Sequence, residues 1–121
     1  MSGAAPRRAP KSRPDDREAA DRLDHALLKA AYAANWDAVI AALEDGADVN
    51  VQDKATGLAA LHIAIGTNNL PLTRMLIEDW RATIQPDGNG RWPSVIAARC
   101  RVDEDLSDYI IEAEVRAQSS E

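Results

Sequence analysis

Phenylalanine is absent from this chain, and its aromatic residues are three Trp and two Tyr. Its apolar content rests largely on Ala and Leu, which suits closely packed helices better than sheets. A single cysteine, Cys100, excludes an internal disulfide framework and fits a reducing, cytoplasmic setting. No apolar run approaches the roughly 18 residues that a membrane helix requires, so no span is expected. The N-terminus also lacks the apolar core of a secretory signal. There is no glycine-rich phosphate loop and no pair of zinc ligands, and His25, His62 and Cys100 stand outside any catalytic motif. Neither enzyme chemistry nor a cofactor is therefore expected.

At 121 residues the chain has room for one domain with a modest core. The net charge is −6, but it is unevenly spread. Residues 1–14, "MSGAAPRRAPKSRP", hold Arg7, Arg8, Lys11 and Arg13 and no acid, which leaves −10 on the remainder. Residues 1–13 offer nothing to bury and read as a disordered basic arm. Four cations without interleaved aromatics are a weak nucleic-acid signal, so a solvated tail is expected. The domain spans 14–118 and a short tail follows at 119–121.

The domain itself is patterned for helices. Pro14 and the acids Asp15, Asp16 and Glu18 suit a helix N-terminus. Ala20, Leu23, Leu27, Ala30, Ala31 and Ala34 then recur at steps of three and four. Asn35 can cap a second helix with Trp36, Val39, Ile40 and Leu43 on one face, and Gly46 stops it. "AALHIAIGT" is a third helix, and Asn69 caps a fourth, "LPLTRMLIEDW". "PSVIAARC" and "DEDLSDYIIEAEVRAQ" make a fifth and a sixth. The last mimics a calcium loop through Asp103, Asp105, Ser107 and Glu114. However, Asp108 stands where that loop needs glycine, and Leu106, Tyr109, Ile110 and Ala113 form a helical stripe instead.

The helices come in pairs, and the pairs repeat. "LLKAAYAANWDAVIAALEDGADVN" lies in ungapped register with "LHIAIGTNNLPLTRMLIEDWRATI", placing Ala30 on Ala64, Asn35 on Asn69, Leu43 on Ile77 and Gly46 on Trp80. With "AALHIAI" at its centre and "GADVN" closing the first unit, this pattern resembles the ankyrin repeat, whose period is about 33 residues. "DGNGRWPSVIAA" opens a third, degenerate unit. The resemblance implies an all-α solenoid with units at about 23–50, 51–84 and 85–116. It also implies that small Ala30, Ala31, Ala64, Ala97 and Ala98 let neighbouring helices approach. Gly57 and Gly90 would set the turns before the first helices. His62 would bond to backbone across a repeat junction rather than act as a catalyst.

The resemblance further implies binding of a partner protein through loop tips and the exposed side of each first helix. The positions fall on Tyr32 and Ala33 in the first unit. In the second they fall on Gln52, Lys54, Ala55, Leu58, Gly66 and Thr67, and in the third on Gly88, Asn89, Arg91, Arg99 and Cys100. The charges among them, Lys54, Arg91 and Arg99, are all positive and suggest a partner with an acidic patch. Trp80 replaces a glycine of positive φ, so the second turn must differ from the first. It either packs beneath the next loop against Pro86 or Trp92, or stands exposed as a binding anchor. A regulator or inhibitor of one partner is the leading expectation, as a monomer or weak homodimer with no small-molecule substrate. The alternatives are a homo-oligomer stacking through its last unit, and an adaptor using the basic arm on nucleic acid or membrane.

Overall fold

The computed structural model describes residues 12–119, and their pattern of caps produces six helices. They are α1 (Arg17–Tyr32), α2 (Trp36–Glu44), α3 (Ala60–Gly66), α4 (Leu70–Glu78), α5 (Pro93–Cys100) and α6 (Glu104–Ser119). No strand occurs among the described residues. Asn35 and Asn69 cap α2 and α4 as the sequence indicates. Their Oδ1 atoms accept the N–H groups of Ala38 at 3.1 Å and Leu72 at 3.2 Å. Asp16 does the same for α1, accepting from Glu18 at 3.3 Å. Each bond satisfies one of the donors that a helix N-terminus leaves free.

The repeat is written in the backbone as well as in the sequence. Each pair turns through a left-handed residue that is not glycine: Ala34 at φ 55°, Asn68 at φ 60° and Arg101 at φ 54°. The next N–H then closes back onto the first helix, from Asn35 to the Ala30 carbonyl, Asn69 to Ala64, and Val102 to Ala97. This is the helix-ending geometry that usually selects glycine. Three units make the same turn with Ala, Asn and Arg in the strained position.

Packing sets the curvature. α3 lies directly between α1 and α5, whereas each second helix packs mainly on its own partner. Ala30, Ala31, Ala60, Ala64 and Ala97 are buried in this inner row, and their small side chains permit the close approach. The row of first helices is thus the shorter, inner side of the stack. Leu27, Val39, Leu61, Ile65, Leu72 and Leu76 fill the space between the two rows.

The turns between units differ as Trp80 requires. After α2 the positive φ falls on Gly46, and Ala47 N–H returns to the Ala42 carbonyl at 3.0 Å. After α4 it moves to Arg81, at φ 55°, and Ala82 N–H returns to Leu76 at 2.9 Å. The second turn is one residue longer. Trp80 is therefore spared the strained conformation and lies half-buried against the core. The exposed-anchor alternative for Trp80 does not match this placement.

The expectation of disorder over residues 1–11 lies outside the described residues, but Arg13 departs from the solvated arm. Its guanidinium bridges the Asp24 carboxylate at 2.8 and 2.6 Å and reaches the Gly46 carbonyl at 3.3 Å. A Cβ on Gly46 would stand 3.1 Å from the Arg13 Cα and the Ser12 carbonyl oxygen, so the glycine also admits the arm. Asp24 binds the Asp48 N–H at 2.9 Å as well and ties α1 to the end of the first unit. Arg13→Ala strands a carboxylate that is 10% exposed. Because Arg13 itself is 43% exposed, the loss should be only about 1 kcal/mol. Removing residues 1–11 alone should leave the urea midpoint unchanged. Equal midpoints for Arg13→Ala and the parent would show that the bridge contributes nothing.

Candidate functional site

Two loops project from the inner row, and each is closed by an aspartate. In the first, Asp53 N–H meets the Leu58 carbonyl at 2.9 Å, while its Oδ1 accepts the Ala55 N–H at 2.8 Å. In the second, Asp87 N–H meets the Arg91 carbonyl at 2.9 Å. Asp87 Oδ1 accepts the N–H groups of Asn89 and Arg91, each at 2.9 Å. Its Oδ2 takes the Arg91 guanidinium at 2.9 Å. Burial alone would raise the Asp87 carboxyl, but these donors outweigh it and hold the pKa below the ordinary carboxylate value.

The loops stack on one another. Gly88 N–H donates to the Gly57 carbonyl at 2.7 Å, and Asn89 Nδ2 donates to the Thr56 carbonyl at 2.9 Å. Gly57 adopts φ 77°, and a Cβ on Gly88 would fall 2.9 Å from the Gly57 Cα. Only two glycines can meet this closely. Nearer the helices, Asn50 exchanges bonds with Thr83, accepting its N–H at 2.9 Å and donating to its hydroxyl at 3.0 Å. Tyr32 fixes the first loop to α1, its hydroxyl donating to Asp53 at 2.9 Å and lying 3.0 Å from the Thr56 hydroxyl.

His62 carries the junction beneath these loops, as the resemblance implies. It is 1% exposed. Its Nδ1 accepts the Ala59 N–H at 3.1 Å, which leaves the proton on Nε2 to donate to the Gln85 carbonyl at 2.9 Å. Burial lowers the His62 pKa and keeps the ring neutral. Asp24 is also held below the ordinary value; burial opposes this, but Arg13 and the Asp48 N–H prevail.

These directions fix a pH dependence. The unfolded chain takes a proton on His62 from about pH 6.5 downwards, whereas the folded chain, with its lowered pKa, takes it only at lower pH, so stability is lost as pH falls from there. The depressed carboxyls of Asp24 and Asp87 add a second loss as pH falls below about 4. Stability should thus be level from pH 7 to 8 and decline in two stages towards acid. His62→Gln should lower the whole curve but remove the first stage. If the variant keeps the same decline between pH 6.5 and 5, His62 is not its source.

Two adjoining hollows lie between the loops and the inner helices, and Tyr32 lines both. One, of about 280 Å³, takes in Leu58, Thr67, Arg91 and Arg99, together with Gly66 and Cys100. The other, of about 630 Å³, takes in Gln52 and Lys54. Seven of the candidate contacts thus converge on one side, and Trp80 lines neither hollow. The positive charge of that side is smaller than the sequence suggests. Arg91 is committed to Asp87, whereas Lys54 and Arg99 are exposed. The second hollow also contains Asp21, Asp24 and Asp53, whose acids a motif-based reading passes over. No cluster of His, Cys, Asp or Glu suited to a metal ion occurs among the described residues, which include the region of the calcium-like motif.

A family model described as "Ankyrin repeats (3 copies)" matches residues 27–119. The chain belongs to the ankyrin-repeat family, whose members are generally protein-protein interaction modules and typically non-enzymatic. A search of curated proteins finds no match. Among the described residues no helix is long and apolar enough to cross a membrane.

Proposed function

We propose that this chain is a non-enzymatic binding module that takes one partner protein against its stacked loops and inner helices and regulates or inhibits it. The observation that carries the reading is the convergence of Tyr32, Gln52, Lys54, Leu58, Thr67, Arg91 and Arg99 on two hollows joined at Tyr32. The partner presents acids to Lys54 and Arg99, and the meeting takes place in the cytoplasm. Residues Glu104–Ser119 of α6 carry the far end of the stack and stay clear of the partner.

The test begins by capturing the partner from the native host with the tagged chain. Lys54→Glu with Arg99→Glu should then slow association roughly tenfold at low salt and less at high salt, since such charges act mainly on encounter. Arg91 is left intact because it holds the second loop together. Glu112→Lys, on an exposed part of α6, is the control and should change nothing. Wild-type association by the double variant, with loss of binding in the control, would move the site to the end of the stack.

A second reading has its own support. Val95, Ile111 and Val115 of the last unit are all exposed, at 41%, 47% and 58%. They suit self-association through that end. Light scattering after size exclusion decides the matter: a monomer across the working range removes this reading.

A further inference from the structure

Building on the partner-binding reading, we infer that the smaller hollow is a two-part anchor site for a branched aliphatic side chain with a carboxylate side chain next to it. Its walls include Leu58, Ile63 and Ile96, and α3 and α5 come together there at Gly66. A Cβ on Gly66 would lie 3.7 Å from both the Ile96 side chain and the Cys100 sulfur. At about 280 Å³ it is nearly twice the ~150 Å³ that holds a benzene ring, enough for one such side chain and the start of its neighbour.

Charge specifies the second part. No Asp or Glu lines this hollow, although the chain as a whole is at −6 and the adjoining hollow has three acids. Its cations are Arg91 and Arg99. Asp87 neutralises Arg91, and the neutral His62 ring is spent on backbone bonds. Arg99 is the exposed charge left at the rim. An acid beside the apolar anchor completes that arrangement, whereas a basic neighbour would face like charge. The anchor gives affinity through burial, and Arg99 gives the choice of sequence.

The experiment uses the full chain labelled with nitrogen-15 at low salt and three capped dipeptides: acetyl-Leu-Glu-amide, acetyl-Leu-Gln-amide and acetyl-Gly-Glu-amide. The first should shift the amides of Gly66, Thr67, Arg99 and Cys100, and bind about 5-fold more tightly than either of the others. It should also slow alkylation of Cys100, the chain's single cysteine. Arg99→Gln should reduce the first peptide to the level of the second while the remaining amide pattern stays that of the parent. Equal binding of all three peptides, or shifts that avoid these amides, would overturn the anchor site. If Lys54→Glu with Arg99→Glu still slows the partner, such a failure leaves the broader binding reading standing. If both fail, that reading falls too.

Discussion

Leu61→Ala should cost roughly 2–5 kcal/mol and bring the chain close to unfolding at room temperature. Leu61 is 2% exposed and sits on α3, the helix packed against α1, α4 and α5. Truncation removes apolar burial and leaves a cavity that these helices cannot close without pulling the inner row apart. A stack of this size has a total stability on the order of 5–8 kcal/mol. Stability in such stacks is shared between units and their junctions, so damage to the middle unit weakens both junctions at once. Leu106→Ala, at a residue of 0% exposure in the last unit, should instead loosen one end. Urea unfolding followed by circular dichroism distinguishes the two. A Leu61→Ala variant that melts within a few degrees of the parent would mean that the register of the stack is wrong.

Asp87→Ala should lose roughly 2–3 kcal/mol. The Asp87 side chain is fully buried and accepts from two backbone N–H groups and the Arg91 guanidinium. Arg91 is 37% exposed and can regain water, which keeps the cost below that of a fully enclosed pair. The local consequence is sharper than the global one. Without its closing acid the second loop cannot hold Gly88 against Gly57, so the Gly88 amide should exchange with solvent far faster. The Asn89 bond to Thr56 should be lost with it. A stable variant with a protected Gly88 amide would show that the loop keeps its shape by other means.

Much of this architecture was legible from local signals. Asn35 and Asn69 announce their helices because a capping side chain acts on backbone two or three residues away. The Ala and Leu spacing marks the buried faces for the same reason. The junction histidine was legible only through the resemblance, since a lone His beside apolar residues has no pattern of its own. What escaped depends on partners distant in sequence. Nothing around Arg13 points to Asp24, and nothing around Asn50 points to Thr83. The left-handed turns at Ala34, Asn68 and Arg101 escaped because no glycine marks them. Trp80 gave a correct warning that its turn differs, but the remedy, one added residue with Arg81 in the strained position, is a choice of backbone.

The candidate site followed the same division. Seven of the eight candidate positions face one side because successive units are translated copies of one another, so equivalent places line up, whereas Trp80 lies apart from them. The sequence alone overstates their charge at Arg91, which pairs with Asp87. An Asp four residues before an Arg, across "DGNGR", was a visible cue to a closed loop that consumes the guanidinium.

The proposed partner lies on the stacked loops and inner helices. Hydrogen exchange of the chain, free and bound to its captured partner, tests this placement. Added protection is expected in residues 52–58, 66–67, 88–91 and 99–100, with α2 and the outer side of α6 unchanged. Protection confined to α6, with those segments exchanging as in the free chain, would contradict it.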